Sequence, residues 1–337
     1  MLDSTCGRRV TGFAVTTHRG RSTCGGACPA LRSRRGGLVQ PAAARDTASP
    51  VTARLVWLWG LVFCENLLAS GGPCITMALM HETNDRTFAI TLAYNGAPFC
   101  GFARQPELLT VQGNLEEALG LLFRRPIETT CAGRTDAGVH ALGQMISFNC
   151  TEAERGQRNL DTMRRSLNAL THDSISIQRI EEKPLGFSAR FDATEREYHY
   201  HLCAQVSPPI FMRDFSWHIT KELDLEAMRE GAQYLIGEHD FKSFCLVASA
   251  IGKPTRRRVI EITIEEQMMM GERVVVIKVV GNAFLHSMVR SIVGTLVAVG
   301  RGKRSPEWVG QALAACDRQA AGETAPASGL VFWRVCY

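Results

Sequence analysis

Asp136 sits in Cys131-Ala-Gly-Arg-Thr-Asp-Ala-Gly-Val-His140, ten positions holding two glycines, one arginine and one carboxylate. Gly133 and Gly138 let the backbone take conformations that other residues resist, and let a second molecule come close. Alone, the run Thr-Asp-Ala-Gly reads as a turn whose aspartate caps its own backbone. Loops carried on a rigid sheet are also where catalytic groups sit. Arg290 bears on the choice. It lies in Phe284–Val299, apolar nearly all round through Phe284, Leu285, Met288, Val289, Ile292, Val293, Leu296 and Val297, which predicts a buried helix. A buried guanidinium costs several kcal/mol unless an anion meets it. Arg290 therefore reaches solvent beside Ser287 or Ser291, or finds an acid from elsewhere, since none is in reach on its own helix. An aspartate held against it stays ionised, which suits a nucleophile and disfavours a proton donor. Asp136 and Arg290 are the candidate pair.

The elements that must position this pair are legible as periods. Arg86–Tyr94 alternates Phe88, Ile90, Leu92 and Tyr94, a strand with one buried face, ended by Asn95-Gly96. Val111–Phe123 spaces Leu115, Leu119 and Leu122 as a helix with Glu116 and Glu117 outward. Strands are expected at 128–131 and 141–150, so the Asp136 loop joins two of them. A helix at 159–170, strands at 174–180 and 196–205, and a helix at 225–236 follow. Strands at 259–266 and 274–280 read as a hairpin around Gly271. Pro306 opens a short helix, and 329–335 is a closing strand. The mixture is α+β, or mixed α/β, with antiparallel-rich sheets and no Rossmann alternation. Neither a Gly-x-Gly-x-x-Gly nor a Walker loop is present, so no nucleotide cofactor has a signature here.

The chain has 337 residues, a net charge of +5 and 12 scattered cysteines. The charge permits a polyanionic partner without demanding one. No Cys-x-x-Cys pair occurs, which leaves little for zinc, and reduced cytoplasmic thiols are expected. His239-Asp240 is one adjacent pair, and Asp240 reads as a cap. Residues 1–80 stand apart. Their positive charge is all arginine, against only Asp3, Asp46 and Glu65. Such a segment buries too little apolar surface to offset its ordering entropy, so it is expected to be disordered or a non-native extension. Its nine-residue apolar run Leu55–Phe63 is far short of the ~20 needed to span a membrane. The plainer reading is an over-extended start, with Met77 or Met80 as the working first residue; an organelle leader is the alternative. The folded part divides into 81–183, carrying the Asp136 loop, and 184–337, completing a cleft.

The Cys131–Ala141 stretch resembles the signature loop of the tRNA pseudouridine synthase A family. Tyr94-Asn-Gly, Gly101-Phe102, Val111-Gln112, Phe187-Ser-Ala-Arg190, Arg196-x-Tyr198-x-Tyr200 and Gly237-x-His-Asp-Phe241 follow in the family's order. So do Phe284–Gly294, Gly300-Arg-Gly-Lys303 and Thr324-Ala-Pro-Ala-x-Gly329-Leu. Departures are Asn95, Phe102, Ser188 and Thr171-His172, which touch RNA contact rather than reaction. The resemblance implies conversion of uridine to pseudouridine at positions 38, 39 and 40 of the tRNA anticodon stem-loop. It implies two α/β domains about a pseudo-twofold, a homodimer, and neither cofactor nor metal. Asp136 would be the nucleophile and Arg290 its partner. Tyr198 would stack on the target base, and Arg134 would intrude where the flipped nucleotide leaves.

A base inside a stem must be flipped out before such chemistry. Asp136 could then attack C6 or C1′, or take the 2′ proton. With an RNA substrate, Arg256, Arg257, Arg258 and Lys303 are candidate phosphate contacts. Tyr200 reads as sheet packing. A glycoside hydrolase would need a second carboxylate, and none stands out.

Overall fold

Phe88, Ile90 and Leu92 do share a buried face, but Thr87 and Ala89 are buried behind them. The strand they form, β1 (Asp85–Tyr94), therefore belongs inside a sheet rather than at a half-wet surface. A computed structural model describes residues 85–156 and 159–337; the expectations for residues 1–80 lie outside them. After β1 come α1 (Val111–Phe123), β2 (Thr130–Cys131), β3 (His140–Thr151), α2 (Glu152–Gly156) and α3 (Leu160–Leu170). Then follow β4 (Ile175–Lys183), β5 (Glu195–Ala204), β6 (Trp217–Ile219), α4 (Leu225–Gln233), β7 (Gly237–Asp240) and α5 (Val247–Ala250). β8 (Arg256–Met269), β9 (Glu272–Gly281), α6 (Met288–Gly300), α7 (Glu307–Ala314) and β10 (Leu330–Cys336) complete the chain.

The fold is α+β. One sheet runs β4-β1-β3-β10-β5-β9-β8-β7, with β2 attached to β3 and β6 to β5. Only β3–β10 and β5–β6 are parallel pairs; the rest are antiparallel. The closing strand β10 is what brings distant parts of the chain together. It sits between β3, which follows the Asp136 loop, and β5, which carries Tyr198. The segment between β4 and β5 crosses from the first half to the second.

Helix starts follow their caps. The Thr110 side chain accepts the Gly113 amide, Asn159 accepts those of Asp161 and Thr162, and Asp224 accepts that of Ala227. α6 packs on α4, and 11 of its 13 residues are buried. Gly294 allows this: a Cβ there would lie only 1.8 Å from the Glu323 carbonyl oxygen. That close approach brings the 323–325 backbone against α6.

Three expectations are corrected. Glu116 faces inward, 7% exposed, with Oε1 accepting the Thr129 amide at 2.9 Å and hydroxyl at 3.0 Å. Thr129 lies outside the β2–β3 pairing, its amide bonded to this carboxylate and its carbonyl to Gln112 Nε2, and β2 has only two residues. The apolar run at 284–299 is not one helix. Ser287 takes a left-handed conformation, φ 58°, and α6 begins only at Met288. The helix expected to reach Ile236 stops at Gln233.

Candidate active site

Asp136 hangs in the eight-residue connection from β2 to β3. The Val139 amide reaches the Asp136 carbonyl at 3.2 Å, and Gly138 takes φ +76°, a value that favours glycine. The loop is pinned from below. Thr135 Oγ1 and the Tyr94 hydroxyl lie 2.8 Å apart, and the Phe102 amide donates to the Thr135 carbonyl at 3.1 Å. Gln144 Nε2 donates to the Gly133 carbonyl at 2.7 Å. The turn is real, but the aspartate side chain is not used to cap it.

The carboxylate points instead at the start of α6. Oδ2 accepts from Arg290 Nη1 at 2.9 Å and from Ser287 Oγ at 2.8 Å. Oδ1 faces His286 Nε2 at 3.2 Å. Arg290 is fixed from its other side, with Nε donating to the Ala325 carbonyl at 2.7 Å. The two charged side chains are each 18% exposed, so the pair is mostly desolvated yet open on one side. Ser287 bonds Oδ2 from a left-handed backbone, φ 58°. A non-glycine residue there costs roughly 1–2 kcal/mol, tolerated where the surroundings over-determine it. Anchored Oδ2 leaves Oδ1 the freer oxygen, since its neighbour His286 is half-exposed.

Tyr198 forms an aromatic wall beside the pair. It is 7% exposed, with Phe284 and Phe332 set edge-on at 5.2 and 5.0 Å. Burial, with the Asp136 charge nearby, pushes its phenol above the usual tyrosine range, so it stays protonated. Tyr200 is fully buried and donates to the Pro326 carbonyl at 2.8 Å, as packing requires. Arg196 ties the wall to the loop. Its Nε and Nη2 donate to the Ala132 carbonyl, both at 3.2 Å. Nη1 reaches the carbonyls of Ala193 and Asn282, and Nη2 that of Arg190.

Asp136, Arg290, Ser287, His286, Tyr198 and Arg196 line one cleft of about 880 Å³. Arg134, Arg190, Lys253 and Arg257 line it too. None of the four has an ion-pair partner, whereas Asp136 is the only carboxylate on the cleft walls among the described residues. Burial draws the Arg257 pKa down, as expected for a guanidinium held without an acid. Arg256, Arg258 and Lys303 are exposed and do not line the cleft; Arg256 pairs with Glu238 at 3.3 Å. Asp240 accepts the Lys242 amide at 3.0 Å, and His239 engages the Ile236 carbonyl. Among the described residues no group of three or more His, Cys, Asp and Glu is arranged to hold a metal, and no helix is long and apolar enough to cross a membrane.

Sequence reasoning missed His286 and Ser287 as partners of Asp136: it read them as members of an apolar helix, with Ser287 only a polar neighbour of Arg290. A Ser-Met step before a valine-rich helix gives no such signal. Arg196 and Arg190 stood in quoted motifs without a role. Lys253 and Phe191 carried no signal at all.

Fold and site together define a class: a mixed α/β enzyme that aims one clamped carboxylate into a cationic, aromatic-walled cleft. A family model described as tRNA pseudouridine synthase matches residues 90–192 and 232–337. A tRNA pseudouridine synthase A of Brevibacillus brevis is 44% identical over 246 residues, spanning 73% of this chain and 97% of that protein. One of Thermotoga neapolitana is 40% identical over 252 residues, spanning 75% of this chain and 100% of that protein. A solved Cbf5-Nop10-Gar1 complex matches at a TM-score of 0.30 and 12% identity, over 62% of this chain and 45% of that chain, too faint to bear on fold or function. The chain belongs to the tRNA pseudouridine synthase family, whose members are isomerases.

Proposed function

We propose that this chain isomerises uridine to pseudouridine at positions 38, 39 and 40 of the tRNA anticodon stem-loop, with Asp136 as nucleophile. The observation that carries the reading is the Asp136–Arg290 pair, Asp136 being the sole carboxylate among the described residues of an otherwise cationic cleft. A retaining or inverting glycoside hydrolase needs two carboxylates, and this cleft offers one. The reaction breaks the C1′–N1 bond and forms C1′–C5. The C5 proton leaves, N1 gains a proton, and nothing is oxidised or reduced. Attack at C6, attack at C1′ and removal of the 2′ proton each start from an ionised carboxylate. Arg290 and Ser287 hold that charge and its direction through Oδ2, leaving Oδ1 to react. Tyr198 gives the extruded base a flat, protonated aromatic neighbour. Arg134, exposed in the same loop, stands where it can enter the stem as the nucleotide leaves. Arg190, Lys253 and Arg257 take phosphates.

The test is to incubate the protein with an unmodified tRNA transcript carrying uridines at 38–40 and to map pseudouridine by carbodiimide primer extension. Stops at those positions support the proposal. Stops confined to another region of the tRNA, or none, overturn it.

A further inference from the structure

Phe191 is 78% exposed, more than any other aromatic side chain among the described residues, yet it belongs to the wall of the catalytic cleft. Single apolar side chains on a surface need no explanation. This one is built differently. The Arg190 guanidinium lies 5.3 Å from its ring centroid and, among the described residues, has no acidic partner. One ring face is thus backed by a cation, and the other is open.

The turn beneath it is tied at every residue. The Phe191 amide donates to Ser188 Oγ at 3.3 Å, and the Ser188 amide to Asp192 Oδ2 at 2.8 Å. The Asp192 amide donates to the Ser188 carbonyl at 3.1 Å. The Ala189 amide donates to Ser147 Oγ, the Ala189 carbonyl accepts the Tyr337 hydroxyl, and the Arg190 carbonyl accepts Arg196 Nη2. A ring carried on a backbone tied this firmly has only its own side-chain torsions left to order on meeting a ligand.

Flat, exposed, cation-backed aromatic rings on a basic cleft are what unpaired nucleobases stack on. The floor of the cleft already has its ring, Tyr198, buried beside Asp136. Phe191 stands on the rim. We propose that Phe191 and Arg190 form a stacking platform for a second unpaired base, the neighbour of the uridine drawn down to Asp136. Extruding one nucleotide unstacks its neighbour; the platform replaces that lost stacking. Arg190 also lies where the phosphate between the two nucleotides is drawn. This inference rests on the proposed RNA substrate and adds where its second base goes.

The experiment uses the full chain and an anticodon stem-loop transcript with 2-aminopurine next to the target uridine. Binding to wild type should quench the fluorophore. Phe191→Ala and Phe191→Leu should leave it bright and weaken the RNA Kd about tenfold or more; Phe191→Trp should restore both. Leucine keeps the apolar bulk without the ring, so it separates stacking from burial. Tm should be unchanged in all three, since the ring is exposed. Wild-type quenching and affinity in Phe191→Ala or Phe191→Leu overturn the platform. If wild type forms pseudouridine while Phe191→Ala matches it, the platform alone falls; if wild type neither binds nor modifies the RNA, the functional reading falls with it.

Discussion

Replacing Arg196 with methionine separates how the site is held from how it reacts. Arg196 is 8% exposed and makes five hydrogen bonds to four backbone carbonyls, of Ala132, Arg190, Ala193 and Asn282. Bonds from a charged donor contribute about 1.5–3 kcal/mol net. Four acceptors at the low end of that range come to roughly 6 kcal/mol. Burial draws the Arg196 pKa down, so part of that gain already offsets desolvation of the guanidinium. Methionine keeps the aliphatic packing, worth about 0.8 kcal/mol per buried methylene. That packing is common to both proteins and cancels, so with desolvation of the guanidinium set against the bonds the expected net loss is about 3 kcal/mol. Urea unfolding of the full chain, followed by tryptophan fluorescence, measures it through the midpoint at constant slope. Arg196→Lys, with one point of charge and three donors, should fall between. A loss below about 1 kcal/mol in Arg196→Met would refute the picture of a guanidinium stitching the Asp136 loop to β5.

Arg290→Met should lower turnover at least about 100-fold while costing at most about 2 kcal/mol of stability, because Asp136 keeps Ser287 and an open side; near-normal turnover would show the pair is not functional. Ser287→Ala should reduce kcat about tenfold through loss of a charge-assisted hydrogen bond, and Ser287→Asn should recover much of it, since asparagine tolerates the left-handed backbone and can donate; equal rates in wild type and Ser287→Ala would contradict this. His201 is 5% exposed, and burial lowers its pKa from 6.5 to about 4. The depressed folded value means the unfolded chain binds the extra proton first, so stability should be complete above pH 6.5 and fall by roughly 3 kcal/mol as pH drops through 4. Urea midpoints flat between pH 7.5 and 4 would count against it.

The periods of the sequence carried most of the elements, because alternation and helical spacing are local. β1, α1, β3, β5 and the β8–β9 hairpin stand within a few residues of expectation. The pairing of Asp136 with Arg290 was also legible, since a charge in an apolar helix demands an anion and the loop held one. What the sequence did not carry is set by long-range geometry. Glu116 turns inward to serve the Thr129 backbone, which no helical period encodes. Ser287 stands outside the helix in a left-handed conformation and bonds Asp136, and hydropathy is blind to that. Among the described residues, the basic side chains without an ion-pair partner on the cleft walls include Arg134, Arg190, Lys253 and Arg257, spread over the chain, whereas the conspicuous run 256–258 contributes only its middle member.

The central claim is that the Asp136 carboxylate does the chemistry. Tritium release from tRNA labelled at C5 of uridine reports loss of the C5 proton and nothing else. Asp136→Asn keeps the shape of the side chain, so folding and tRNA binding should survive while tritium release falls to background. Release at a measurable fraction of the wild-type rate from a folded, tRNA-binding Asp136→Asn protein would contradict the account.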